Sequence, residues 1–245
     1  MRVLAVAMQK GGVGKTTTVL HVAVGLADLG RRVLVVDLDP QGQQAQVLGV
    51  TVDPERTVYQ VLMGGEPLSS CVYRTRGLDL LPASPGWTNA DVELAPLFDG
   101  RQKLRSALAS VEERYDWVVI DTPPNLGALT ANALAAAHRI LIPVTTHQAA
   151  VNELPKFLET FELARRHLNP GLEIAGLLPT MYAKRVAQDE QVLEMLRTNP
   201  MGIPCYDPIP RTTRLTECFS RCAPAYDYDR EASWPYERLT ERIAL

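Results

Sequence analysis

The sequence predicts an α/β fold: one doubly wound, mostly parallel sheet with helices on both faces. Three observations predict it. Continuous apolar runs of strand length recur along the chain, as strands buried on both faces require. Segments of helical periodicity separate them. Gly, Pro, Asn and Asp punctuate the chain between these segments, with a less regular middle around residues 50–70.

The elements follow in order. Residues 3–8 (Val-Leu-Ala-Val-Ala-Met) read as a buried strand. Residues 9–14 form a glycine-rich turn, and helical spacing runs from Lys15 to about Leu29, closed by Gly30 as a C-cap. Residues 33–36 are a second strand; 50–57 and 64–70 read as loops. A short strand is expected at 78–81, a loop at 82–86, a helix at 100–114 and a strand at 117–120 ending on Asp121. Helices at 126–137, 149–167 and 186–197 alternate with strands at 139–144 and 172–178. Prolines punctuate the chain from Met201, and 234–243 reads as a closing helix with Pro235 near its first turn. No repeat or linker interrupts this pattern, so a single domain over residues 1–245 is expected.

Composition narrows the function. With 46% hydrophobic and 22% charged residues, the chain is neither disordered nor a disulfide-stapled miniprotein. No run of eighteen apolar residues spans a membrane, and the opening apolar stretch is too short for a signal-peptide core. Cys71, Cys205, Cys218 and Cys222 are scattered, which predicts reduced thiols and a cytoplasmic location. Cys218 and Cys222 are four apart; packed thiols are the better reading than zinc ligands. Net charge is −3, so any contact with nucleic acid must rest on a local patch. Lysine is scarce, yet Lys10 and Lys15 share one hexapeptide.

That hexapeptide lies in the first turn. Gly11-Gly12-Val13-Gly14-Lys15-Thr16-Thr17 follows a strand and opens a helix, the setting of a phosphate-binding P-loop. Glycines let backbone N–H groups converge on an anion, and the helix N-terminus adds unsatisfied donors. Lys15 supplies a full charge to the β- and γ-phosphates, and Thr16 offers its hydroxyl to Mg²⁺. The strict motif has glycine where this chain has Gln9. Asp37 and Asp39 follow the second strand, and Asp121-Thr122-Pro123-Pro124 follows another with the form of a Walker B segment. Loops at the carboxyl ends of parallel strands share one sheet edge, which brings the three aspartates beside the P-loop. One such aspartate alone would be an ordinary cap or turn residue.

The run from Lys10 to Thr17 resembles the deviant Walker A motif of the ParA/MinD family of P-loop ATPases, and the resemblance extends over nearly the whole chain. It implies ATP and Mg²⁺ as cofactors, slow ATP hydrolysis, and a sandwich homodimer in which Lys10 reaches the partner's phosphates. Asp39 would orient the attacking water. Thr16, Asp37 and Asp121 would serve the metal, with residues 37–41 and 121–124 as switches. Ile209 to Leu215 resembles the base-contacting segment of ParA/Soj partition ATPases, placing Pro210 and Thr212 against the base. Arg185 stands where relatives place a DNA-contacting arginine, and Arg211, Arg214 and Arg221 form a second basic group for non-specific double-stranded DNA. A ParB-type centromere-binding protein is the implied partner in chromosome or plasmid segregation, and the location cytoplasmic and nucleoid-associated.

Departures from the family pattern are Asn125 for Ser, Thr212 for Asn, Arg221-Cys222 for Gly-Lys, and His147-Gln148-Ala149 for Glu-Tyr-Tyr. Residues 234–245 carry balanced charge and a short apolar face, so no membrane anchor is expected. The chain opens directly on a strand, so no operator-binding domain is expected before it. The competing readings are a family member that positions another cargo, and a metabolic P-loop ligase of the dethiobiotin synthetase kind.

Overall fold

The apolar runs form the strands they predict, and their alternation sorts side chains to two faces. In the computed structural model, which describes the backbone throughout and all side chains except those of residues 148–151, seven strands form one sheet. These are β1 (Arg2–Val6), β2 (Val33–Asp37), β3 (Tyr73–Thr75), β4 (Leu78–Leu81), β5 (Trp117–Asp121), β6 (Arg139–Thr145) and β7 (Glu173–Thr180). Their order is β3-β4-β2-β5-β1-β6-β7, and only β3, at one edge, runs antiparallel to its neighbour.

The helices follow the same grammar. Helix α1 (Lys15–Asp28) leaves β1 through the glycine turn; α2 (Gln43–Val47) follows β2; α3 (Ala90–Leu94) and α4 (Lys103–Ala109) lie between β4 and β5. Helices α5 (Ala128–Ala136), α6 (Gln148–His167) and α7 (Ala187–Arg197) link or follow the later strands, and α8 (Thr213–Arg221) and α9 (Arg230–Ala244) close the chain. Val3, Leu34, Val118 and Ile120 face one core with α4, α5 and α6. Leu4, Val33, Val35 and Val119 face the other with α1, α8 and α9. The sheet is therefore covered on both sides, as a parallel sheet requires.

Several predicted boundaries move for physical reasons. The helix expected at 100–114 is regular only over Lys103–Ala109, where Leu104 and Leu108 anchor it one turn apart in the core. The closing helix starts at Arg230, because the Asp229 carboxylate caps it by accepting from Ala232 N at 3.0 Å. Pro235 thus lies beyond the first turn, and the carbonyl it leaves unpaired belongs to exposed Glu231. Elements α2, α3, β3 and α8 have no counterpart among the predicted segments, each being short or masked by prolines. Cys218 is buried on α8, whereas Cys222 is exposed at its left-handed C-cap, so the two thiols share no face.

Helix α1 is tied to the C-terminal elements by polar groups inside the second core. Thr18 Oγ1 lies 3.3 Å from Tyr236 Oη on α9. Ala225 N donates to His21 Nε2 at 3.1 Å, which places the ring proton on Nδ1 for donation to the Thr17 carbonyl at 2.7 Å. The imidazole is wholly buried and stacks 4.7 Å from Tyr236. Burial lowers its pKa to about 4, so it folds as a neutral, fully paired group.

Candidate functional site

The carboxyl ends of β1, β2 and β5 meet at one edge of the sheet, as parallel strands must. The loop after β1 turns through Gly12 (φ 71°) and Gly14 (φ 86°), left-handed conformations in which a side chain would be strained. Thr180 Oγ1, from the end of β7, donates to the Val13 carbonyl at 2.9 Å and steadies the turn. Gly11, Gly12 and the start of α1 present their backbone at the surface, while Val13 is buried as the loop's anchor. Thr16 and Thr17 open α1, partly exposed at this edge.

The two lysines take different postures. Lys15 is buried and its ammonium donates to the Lys10 carbonyl at 3.1 Å. Burial lowers its pKa, and the charges of Asp121 and Asp39 oppose that shift. Lys10 is more exposed and its ammonium lies 3.8 Å from Glu153 on α6, a contact across sequence that the motif does not announce. The His147-Gln148-Ala149 departure precedes it; Gln148 and Ala149 lie outside the described side chains.

Asp37 and Asp121 are direct neighbours across β2 and β5, and both are fully buried. Asp37 accepts from Asp39 N at 3.0 Å and from Gln44 N at 3.2 Å. Asp39, beyond the strand end and partly exposed, accepts from Gln41 N at 3.1 Å. Asp121 accepts from Gln44 Nε2 at 2.8 Å, and the same amide donates to the Thr16 carbonyl at 3.0 Å. Gln44 thus links the P-loop helix to both buried carboxylates. Sequence reasoning missed it; the signal was a glutamine cluster, Gln41, Gln43 and Gln44, directly after Asp39.

Two buried carboxylates side by side call for a counter-charge. Burial, and then the neighbouring Asp121, hold the Asp37 carboxyl well above the usual range. Burial pushes Asp121 up to about 6, against the hydrogen bond from Gln44 that favours its charged form. Asp121 Oδ1 is buried with no hydrogen-bond partner. An unsatisfied anionic oxygen facing the Thr16 end of α1 fits a hard divalent cation. Among the described residues no three His, Cys, Asp or Glu side chains form a self-contained metal centre. Mg²⁺ takes one or two protein ligands and completes its shell with phosphate and water, and Asp121 with its unpaired oxygen offers one.

His21 titrates in the opposite sense from these carboxylates. Its folded pKa lies below the unfolded value of 6.5, so the stability it contributes is full above pH 6.5 and is lost as pH falls toward 4. The loss amounts to roughly 3 kcal/mol. The strain at Asp37 and Asp121 is relieved by acidification, so the two effects partly offset. Denaturation curves from pH 7 to pH 4.5 are expected to fall more steeply for the wild type than for His21→Gln; parallel curves would contradict the buried neutral imidazole.

Beside the P-loop, a cavity of about 410 Å³ is lined by Gly14, Thr17, Pro210, Thr212, Leu215 and Tyr236. Pro210 and Thr212 therefore lie within reach of the loop. The Thr212 hydroxyl already accepts from Arg214 N at 3.1 Å as the N-cap of α8. The four arginines divide into two pairs. Tyr182 and Pro210 form an isolated bridge and Arg211 N donates to Tyr182 O, so exposed Arg185 and Arg211 stand on adjoining loops. Among the described residues, neither forms an ion pair. Arg214 pairs with Glu217 and Asp229, and Arg221 pairs with Glu217 at 2.9 Å beneath a cation–π contact to Tyr228. No helix among the described residues is long and apolar enough to cross a membrane.

Residues 1–174 match a family model described as an AAA domain. Over 245 residues the chain is 42% identical to the chromosome-partitioning ATPase Soj of Thermus thermophilus, covering 99% of this chain and 95% of that protein. The chain belongs to the ParA/Soj family of P-loop ATPases. It is also 39% identical to the chromosome partitioning protein ParA of Myxococcus xanthus, across 93% of this chain and 82% of that one. Among solved structures, one described as cobyrinic acid a,c-diamide synthase from Mycobacterium smegmatis, with bound ADP and magnesium, is 36% identical with a TM-score of 0.86. It matches 100% of this ParA/Soj chain and 94% of its own. The Cyanothece McdA–ATP complex, at 23% identity and a TM-score of 0.91 over 100% of this chain and 97% of that one, shares the fold.

Proposed function

We propose that this chain is a partition ATPase. It binds ATP with Mg²⁺, pairs with a second copy across the nucleotide, holds double-stranded DNA without reading its sequence, and is discharged by a ParB-type centromere-binding protein. The observation that carries the reading is one loop bearing two lysines beside two buried carboxylates, one with an unpartnered oxygen.

Gly11 to Thr17 receive the phosphates through backbone N–H groups, and Lys15 swings from the Lys10 carbonyl to the β- and γ-phosphates. Thr16, Asp37 and Asp121 hold the metal, directly or through water. A magnesium ion there supplies charge neutralisation to the phosphate tail. Asp39, just beyond the end of β2, orients the water that attacks in line. Pro210 and Thr212 flank the base in the neighbouring cavity. Lys10 must leave Glu153 to reach the second copy's phosphates, so each site is complete only in the dimer. Slow turnover follows, because the isolated subunit lacks one of the two charges.

DNA is held by phosphate contacts from Arg185 and Arg211, whose guanidinium groups carry no ion pair to break. Arg214 and Arg221 contribute less, because Glu217 and Asp229 already neutralise them. The chain acts in the cytoplasm, at the nucleoid.

A second reading has one observation behind it. The Mycobacterium smegmatis structure is described as a diamide synthase, and a ligase of that kind would activate a carboxylate with ATP. DNA binding separates the two. Filter binding with a plasmid fragment at low salt is expected to show retention only with ATP and Mg²⁺. The Arg185→Ala variant is expected to lower the slope of log affinity against log salt by about 2, one contact from each subunit of the dimer, while leaving nucleotide affinity unchanged. ATP-loaded protein that ignores DNA, together with ATP turnover dependent on a carboxylate substrate and ammonia, would favour the ligase.

A further inference from the structure

The segment 85–91 packs against the residues that follow both phosphate-facing loops, and its tryptophan carries a polar group without a partner among the described residues. Pro85 Cγ lies 3.7 Å from the position a side chain on Gly42 would take, just after the 37–41 loop. At the other end Asp91 accepts from Ala128 N, supplying α5 with the cap that Gly127 cannot give, and fills the space a side chain on Gly127 would need. Helix α5 begins at Ala128, three residues beyond the 121–124 loop. Between these two anchors Trp87 is 6% exposed, held edge-on against Tyr59 at 5.0 Å. It lines a cavity of about 480 Å³ whose other walls include Asp39, Gln41, Pro124 and Asn125. Its Nε1 is buried and has no acceptor among the described residues.

A buried N–H without a partner is destabilising, and phenylalanine would fill much of the same space without it. The indole nitrogen therefore has its use in another state of the molecule. Asp39 and Gln41, which share this cavity with Trp87, bring acceptors on a loop that the ATPase reading expects to move when nucleotide arrives. We propose that residues 85–91 clamp the two switch loops together and that Trp87 is a positioning residue: its indole N–H takes an oxygen acceptor from residues 39–41 when that loop closes on ATP and Mg²⁺, and so fixes Asp39 for hydrolysis. This rests on the ATPase reading above. The device is asymmetric in energy, since the N–H is a liability in the free protein and an asset in the loaded one. Closure is favoured by the difference.

Trp87→Phe keeps an aromatic ring against Tyr59 and removes only the donor. The variant is expected to melt no lower than the wild type without nucleotide, to bind ATP a few-fold more weakly because the closed state loses its hydrogen bond, and to lose about 5- to 10-fold in kcat. A merely structural tryptophan would instead lower the melting temperature of both states and leave the kcat-to-KM balance alone. In ¹⁵N-tryptophan-labelled protein, the indole signal that disappears in Trp87→Phe is expected to move downfield when a non-hydrolysable ATP analogue and Mg²⁺ saturate the site. An unmoved signal at saturation, or a variant with wild-type kcat, overturns the proposal. If the wild type itself does not hydrolyse ATP, the ATPase reading fails separately, and the indole signal still decides whether Trp87 follows the loop.

Discussion

Lys15→Ala is expected to weaken ATP binding by at least about 100-fold in a titration with a fluorescent nucleotide, which corresponds to the loss of two charge-assisted contacts at the phosphate tail. The free protein is expected to suffer little. Lys15 is buried, and burial outweighs the attraction of Asp121 and Asp39 in setting its pKa, so the folded chain gains no net stability by holding this ammonium. Nucleotide affinity within threefold of the wild type would mean that the glycine turn merely joins β1 to α1. A large loss of melting temperature without ligand would mean that Lys15 is part of the core's support.

Asp121→Asn is expected to stabilise the nucleotide-free protein at pH 7 while abolishing its response to Mg²⁺. The folded pKa of Asp121, about 6, lies above the unfolded value of 3.8. A raised carboxyl contributes stability below the unfolded pKa and loses it as pH rises through the folded one. At pH 7 the ionised, buried group therefore costs up to about 3 kcal/mol, and asparagine escapes that cost while still accepting from Gln44. Its new amide donors need acceptors, which trims the gain to about 1–2 kcal/mol. Urea denaturation should show the variant ahead at pH 7 and level with the wild type below pH 4. The wild type's melting temperature should rise when Mg²⁺ and ATP are added together, and the variant's should rise far less. A variant less stable than the wild type at pH 7 would refute the picture of a carboxylate pair held apart from its counter-ion.

Much of this site was legible before any coordinates. The glycine turn with Lys15 and Thr16 sits between β1 and α1 because strand periodicity, positive-φ glycines and a helix start are all local signals. Asp37 and Asp121 could be placed together because parallel strands put their carboxyl ends on one edge. Boundaries failed where local signals compete, as at the closing helix, where Pro235 masked the cap at Asp229. Short elements such as α2 and α8 escaped because one or two turns carry too little periodicity to read.

The sequence by itself determined the doubly wound parallel fold, the family, and the glycine turn with its two lysines, since each is written in local pattern and in the chemistry of a few consecutive residues. Only the tertiary structure decided that Gln44 bridges Asp121 to the P-loop helix, that Glu153 holds Lys10, that Glu217 occupies Arg214 and Arg221, and that the Trp87 donor is left over. Gln44 and Asp121, or Lys10 and Glu153, meet across distant stretches of chain. Strand order and helix placement select such partners, and no spacing within a motif encodes them.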